Sequence, residues 1–394
     1  AMVPDAAAFE PVEIWPGLTD MSRLQKLLWA AKRPVVLVGG SRWSEAATAA
    51  LMRFAERFQL PVATTFRRDH LFDALHPCFA GDFGIGPNPK LLARVKGADL
   101  VLLIGGRMSE MPSQGYTLFD IPEPQMKLVH VHPGADELGR VYHPHLAINA
   151  APTAFCSALE GLQPPNEIAW KGEAEVAHAD YLSWSEQATA VPGGVNLGEI
   201  LVWLRENLPP DAILTNGAGN FAAWIHRFYR VRQFGCLVGA TSGSMGYGFP
   251  AALAMQTLHP DRAVVCIAGD GDFLMTGQDF STAVQYQLPV IVAIADNGLY
   301  GTIRMHQERE YPGRVIATEL KNPDFVAYAK AFGGFGVQVE STADFPAAFA
   351  AARKSGLPAI VHLKIDPEAI TPTATLTGIR EKSLAGGGGK TQRS

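Results

Sequence analysis

The residues with the clearest chemical potential are an aspartate and an asparagine, each set among glycines about 25 residues apart. Ala268-Gly269-Asp270-Gly271-Asp272-Phe273 follows an apolar run over 263–267, and Asp296-Asn297-Gly298-Leu299-Tyr300-Gly301 follows another over 290–295. Both runs read as buried parallel strands, and the helix-compatible stretch 278–287 between them makes a β-α-β unit. Adjacent parallel strands then present Asp270 and Asn297 side by side at their carboxyl ends, the edge where α/β sheets bind ligands. The flanking glycines let backbone N–H groups approach a polyanion closely. Two oxygen ligands beside such a cradle suit Mg²⁺, which shares its coordination with phosphates and water. The pattern is that of a magnesium-diphosphate site. A lone Gly-Asp-Gly is common in turns, so the pairing with Asn-Gly at the next strand end carries the reading.

Two further glycine clusters fall where such a ligand would lie. Asn216-Gly217-Ala218-Gly219-Asn220 follows a strand at 212–215 and opens a helix at 221–229. Unpaired N–H groups and the helix dipole would both face an anion there, although an ordinary helix start has the same pattern. Downstream, the block 241–252 (Thr-Ser-Gly-Ser-Met-Gly-Tyr-Gly-Phe-Pro-Ala-Ala) opens another helix. Its glycines permit close approach to a flat ring. Met245 is a polarizable apolar wedge, or by pattern alone a core residue.

Positioning these loops takes a scaffold, and 394 residues are enough for two or three domains. The expected fold class is α/β, with two doubly wound, mainly parallel open-sheet domains joined by a helical linker. Residues 1–23 read as a leader or linker segment, 24–165 as a Rossmann-like domain and 166–194 as the linker. Residues 195–372 read as the diphosphate- and Mg-binding domain and 373–394 as a flexible tail. In the first domain, strands are expected at 35–40, 60–64, 98–106 and 127–132, with helices at 45–58 and 89–95. Phe345–Ser355 is expected to be the last helix of the second.

The bulk numbers exclude some classes. A net charge of −5 with a pI near 6.1 gives no reason to expect nucleic-acid binding. A hydrophobic content of 47% is explained by buried strands and an oligomer interface, since no run approaches a membrane span. Cys78, Cys156, Cys236 and Cys266 are scattered and read as small buried hydrophobes in a reducing, cytoplasmic setting.

In order and content the four blocks resemble the signature of the thiamine-diphosphate (ThDP) enzymes, and the whole chain resembles their acetolactate synthase-like group. That resemblance implies a lyase or carboligase acting on 2-keto acids through a C2 ylid, with ThDP and Mg²⁺ as cofactors. A decarboxylase or acyl-CoA lyase of the same fold is the alternative activity. It implies that Asp270 and Asn297 give side-chain oxygens to the metal and Leu299 its carbonyl. Gly271, Asp272, Tyr300 and Gly301 would surround the diphosphate, and Gly217, Ala218, Gly219, Asn220, Ser244 and Gly269 would be further cofactor-binding residues. In Gly243-Ser244-Met245, Met245 would prop the cofactor in its V shape, and the Gly243 carbonyl would accept from the 4′-amino group. The family's amino-terminal pyrimidine-binding domain has no counterpart, and neither Glu10 nor Glu13 sits in a fold able to replace it. The expectation is an incomplete chain, inactive until that domain comes from a missing amino terminus or a partner chain. Dimers or tetramers are implied, because the family's cofactor lies between two chains.

Other candidates are weaker. Gly39-Gly40 and Gly105-Gly106-Arg107 leave FAD or an ADP-containing ligand open, but they read better as strand-to-loop turns without a dinucleotide fingerprint. His306, Glu308, Arg309 and Glu310 either line a substrate channel or form a solvated helix face, the latter being expected. Ser109, Ser113 and Ser281 lack a nucleophile-elbow context. His130, His132, His143 and His145 cluster in sequence, but His-metal closure cannot be read from spacing.

Overall fold

The structure, a computed structural model, describes residues 6, 9 and 12–386. Glu10 and the glycine-rich end beyond 386 lie outside the described residues. The chain divides into two compact units, one of residues 1–65, 76–81 and 89–178, the other of 66–75, 82–88 and 179–394. The segments 66–75 and 82–88, assigned from sequence to the first domain, thus group with the second.

The first sheet contains β1 (Pro34–Val38), β2 (Val62–Thr65), β3 (Phe79–Phe83), β4 (Leu100–Ile104), β5 (Lys127–His132) and β6 (Leu146–Asn149). Their order is β3-β2-β1-β4-β5-β6, a doubly wound arrangement. β1 is central, with Val36 opposite Val62 on one side and Leu102 on the other. The loops after β1 and β4 touch: a Cβ on Gly40, at φ +72°, would stand 1.9 Å from the Gly105 carbonyl oxygen. Close packing of the two turns therefore accounts for the Gly-Gly pairs.

The second sheet contains β7 (Ile213–Asn216), β8 (Leu237–Gly239), β9 (Val264–Gly269), β10 (Ile291–Asp296), β11 (Phe335–Val339) and β12 (Ala359–Lys364). The order β11-β12-β10-β9-β7-β8 puts β9 between β7 and β10, and these strands pair in parallel. Alternate residues feed opposite faces. Val265, Ile267, Ile291 and Ala293 join a core with the helices Leu197–Asn207 and Phe345–Ser355. Val264, Cys266, Val292 and Ile294 join another with Phe249, Phe273, Phe280 and Phe325. Burial on both faces is why these strands read as unbroken apolar runs.

Three elements depart from expectation. The stretch 278–287 forms a short 3₁₀ turn, Gly277–Asp279, and the helix Phe280–Gln285. Phe345–Ser355 is not the last helix, because Leu376–Ala385 follows inside the expected flexible tail. That helix is anchored by Arg380, whose guanidinium pairs with Glu308 of the helix Gly301–Glu310. Glu308 is fully buried and also 3.4 Å from Arg304, so the expected solvated face is in part an internal ion-pair cluster. The Arg380 hydrogen bonds hold the Glu308 carboxyl well below its ordinary range.

Candidate functional site

Loops at the carboxyl ends of β7, β9 and β10 enclose a cavity of about 260 Å³. From the β7 loop come Ala218, Gly219 and Asn220; from the β9 loop, Gly269 to Asp272. The β10 loop supplies Asn297, Leu299, Tyr300 and Gly301, and the segment before Gly248–Leu258 supplies Gly243 and Met245. Every sequence-predicted site residue therefore lines the cavity except Gly217 and Ser244. Gly217 stands behind the wall, where a Cβ would lie 2.0 Å from Asp272 Oδ1, and exposed Ser244 pairs with Ser242 at 2.9 Å.

Asp272 ties two glycine loops together. Its Oδ1 accepts from the backbone N–H of Ala218 at 3.1 Å and of Gly246 at 2.8 Å. From the opposite side, the buried Arg67 donates to the carbonyls of Gly217 (3.0 Å) and Ala240, at the roots of the same loops. Asn220 plays a scaffolding part: its Nδ2 donates to the Ile370 carbonyl at 3.1 Å, and its Oδ1 accepts from Thr302 at 2.9 Å.

Asp270 is 2% exposed and begins the short helix Asp270–Phe273. Its Oδ1 accepts from Gly271 N–H at 2.9 Å, while Oδ2 accepts from Gly298 N–H at 3.0 Å and Asn322 Nδ2 at 2.7 Å. Asn297 Oδ1 accepts from Leu299 N–H at 3.1 Å, which folds the β10 loop over the strand end. That loop is pinned by an antiparallel bridge between Leu299 and Glu319. Burial pushes the carboxyls of both Asp270 and Asp272 up to about 6. Burial would raise Asp296 as well, but hydrogen bonds from His362, Lys364 and Asn322 outweigh it and hold that group below its ordinary range.

The donor set fits a diphosphate-bound magnesium ion: hard oxygen ligands, one carboxylate with spare lone pairs, and a glycine wall. At Gly301 a Cβ would press within 2.9 Å of Ile370 Cδ1 and 3.2 Å of Asn297 Nδ2, so an added side chain there would push on both.

Residues 217–363 match the thiamine pyrophosphate enzyme C-terminal TPP binding domain, and residues 21–159 match the central domain of the same enzymes. The chain belongs to the thiamine pyrophosphate enzyme family. Among its relatives is the acetolactate synthase large subunit of Parasynechococcus marenigrum, 32% identical over 86% of this chain and 55% of that protein. The large subunit of acetolactate synthase isozyme 2 of Escherichia coli is 27% identical over 88% and 62%. The chain thus spans little more than half the length of these relatives. The ThDP-dependent 4-hydroxybenzoylformate decarboxylase of Rhodococcus jostii RHA1 shares the fold, with a TM-score of 0.75 at 23% identity over 92% of this chain and 66% of that one.

Elsewhere the structure sorts the minor candidates of this ThDP-family chain. His130 lies against the Gly106 carbonyl at 2.9 Å, His132 against Gly134 and His143 against Glu123, so the sequence cluster is spread over separate partners. Arg107 is solvent-exposed, 3.7 Å from Glu137. Among the described residues, Asp69, Asp82 and His226 have ligand-type atoms within 4.8 Å of one another. His226 Nδ1 is 2.8 Å from Asp69 Oδ2, so one of the two carboxylates is already paired within the cluster. No helix of the described residues is long and apolar enough to cross a membrane.

Sequence reasoning missed Arg67, Asn322, His362 and Lys364. Only Asp296 carried a signal, as the residue directly before Asn297 at a strand end.

Proposed function

We propose that this chain is the central and diphosphate-binding part of a ThDP- and Mg²⁺-dependent carboligase or lyase acting on 2-keto acids, similar to acetolactate synthase. The observation that carries the proposal is the meeting of Asp270 and Asn297 from neighbouring strands at a glycine-walled cavity. In this reading Asp270, Asn297 and the Leu299 carbonyl hold Mg²⁺. The β7 loop with Gly271, Asp272, Tyr300 and Gly301 receives the diphosphate. Bound there, ThDP supplies the electron sink that 2-keto acid chemistry needs. The protein's part is to orient and enclose: Met245 acts as a wedge under the cofactor, and the Gly243 carbonyl is its hydrogen-bond acceptor.

The acetolactate synthase relatives support carboligation over simple decarboxylation as the activity of the whole protein. Because the matching family models are the central and TPP-binding domains, we assign the pyrimidine-binding role to a further domain, in the same protein or a partner subunit. The cofactor would then be shared between chains of a dimer or tetramer.

Calorimetric titration with ThDP, with and without Mg²⁺, tests the reading. Mg²⁺-dependent binding that Asp270→Ala abolishes is the expected result. Binding unchanged by that substitution would reject the site.

A further inference from the structure

Asn322 lies far from the glycine motifs in sequence, in the loop before the helix Phe325–Ala331. Two contacts bring it to the site. Leu320 N–H donates to the Gly298 carbonyl at 2.8 Å and Tyr300 N–H to the Thr318 carbonyl at 2.9 Å. On its other side, Asp324 caps the following helix by accepting from Ala327 N–H at 2.9 Å. The backbone of Asn322 is therefore held between a bridge and a cap, and its side chain reaches across the ends of β9 and β10.

There it meets two carboxylates. Asn322 Nδ2 donates to Asp270 Oδ2 at 2.7 Å and to Asp296 Oδ1 at 2.7 Å. The amide can face them only in this sense, because the flipped rotamer would set a carbonyl oxygen against both. Its own Oδ1 is buried without a partner, so the donor side alone holds it. The Gly298 N–H bridges the same two oxygens, at 3.0 Å each.

The two carboxylates are not equivalent. Asp296 Oδ2 is paired with His362 Nε2 at 2.7 Å and Lys364 Nζ at 2.9 Å, so both its oxygens are each met by two donors. Asp296 has little capacity left for a cation and serves as an anchor. Asp270 Oδ2 is likewise met by two donors, whereas Oδ1 has the single Gly271 N–H.

We propose that Asn322 is a positioning residue for the metal: by clamping Asp270 Oδ2 to the saturated Asp296, it fixes the carboxylate plane and reserves Oδ1 as the metal-binding oxygen. This rests on the magnesium-diphosphate reading of the cavity. The ligand is oriented from the adjacent strands β10 and β12 through a neutral amide, which donates to both carboxylates without adding charge.

The test is titration of the purified protein with Mn²⁺ in the presence of ThDP, followed by electron paramagnetic resonance of free Mn²⁺, beside urea denaturation without cofactor. Wild type is compared with Asn322→Ala, Asn322→Leu and Asp270→Ala. Loss of an outer hydrogen-bonding partner weakens metal affinity by about 10–100-fold. Asn322→Leu keeps the side chain's bulk and removes both donors, so it is expected to bind as weakly as Asn322→Ala. Leu binding like wild type with only Ala impaired would show a packing role and overturn the proposal. Wild-type affinity in both, with Asp270→Ala impaired, would overturn it and leave the cavity reading intact. Binding unaffected by Asp270→Ala would overturn the cavity reading, and this proposal with it.

Discussion

Gly217→Ala tests how the two glycine loops are joined. Gly217 is outside the left-handed backbone region, so its requirement comes from space alone. The added Cβ would lie 2.0 Å from Asp272 Oδ1, 2.3 Å from Oδ2 and 2.4 Å from Cγ. No adjustment of a few tenths of an ångström relieves that overlap. The carboxylate must leave, abandoning the N–H groups of Ala218 and Gly246. Hydrogen bonds to a charged group contribute about 1.5–3 kcal/mol each, so losing both costs about 3–6 kcal/mol. That is a large part of the roughly 5–15 kcal/mol that holds a typical domain folded. Urea denaturation of Gly217→Ala, Asp272→Ala and the double variant measures it as a cycle. Once Asp272 is Ala the obstruction is gone, and Gly217→Ala should then cost under about 1 kcal/mol. An equal cost in both backgrounds would refute the reasoning, because the penalty would then not come from the carboxylate. The same variant should bind Mg²⁺–ThDP more weakly, since both displaced loops line the cavity.

Other expectations follow from the buried ionisable groups. The Asp270 and Asp272 carboxyls, raised to about 6 by burial, contribute stability below the ordinary carboxylate range that is lost as the pH rises through 6. In the proposed site the metal would need ionised Asp270, so Mg²⁺-dependent ThDP affinity should fall about tenfold per pH unit below that point; calorimetry showing constant affinity between pH 5 and 8 would contradict this. Arg380→Ala leaves the buried Glu308 with Arg304 as its remaining cation, a loss of about 1–2 kcal/mol, since Arg380 is itself partly exposed. Hydrogen exchange should show the helix Leu376–Ala385 opening, and unchanged protection there would count against the anchor. The thiols of Cys156 and Cys266 are fully buried, with ionisation pushed upward by burial. They should resist thiol reagents at pH 8 in the native protein and react in denaturant.

Much of this was legible in the sequence where one segment carries its own signal. β1, β4, β9 and β10 are apolar on both faces, and their runs announce them. The Asp270 and Asn297 motifs were legible as candidates because each contains its turn glycines and its proposed ligand. β11 and β12 were missed for physical reasons: Gly336 and Gln338 interrupt one, and His362 and Lys364 interrupt the other. Those polar residues in β12 are where the strand meets Asp296. Glu308 looked like a solvated helix residue because its partner, Arg380, stands 72 positions later, beyond any local pattern. Asn322 gave no signal for the same reason, since its role exists only when a loop bridge carries it to two strand ends.

The charges around the cavity also explain why a metal should be obligatory in the proposed function. Asp270 and Asp272 line the pocket, and Asp296 lies just behind, while Arg67 and Lys364 are spent on loop carbonyls and on Asp296. Among the residues lining the cavity there are two carboxylates and no Lys or Arg, so a diphosphate there without a metal would face carboxylates with no side-chain cation beside them. Two like unit charges 4 Å apart repel by about 4 kcal/mol at a protein-like effective dielectric, more than a single backbone N–H contact returns. In the proposed site a divalent ion held by Asp270 would turn that repulsion into attraction. Asp270 itself is held by donors that carry no charge, the Gly298 N–H and the Asn322 amide, which on the proposal above would set the position of that ion.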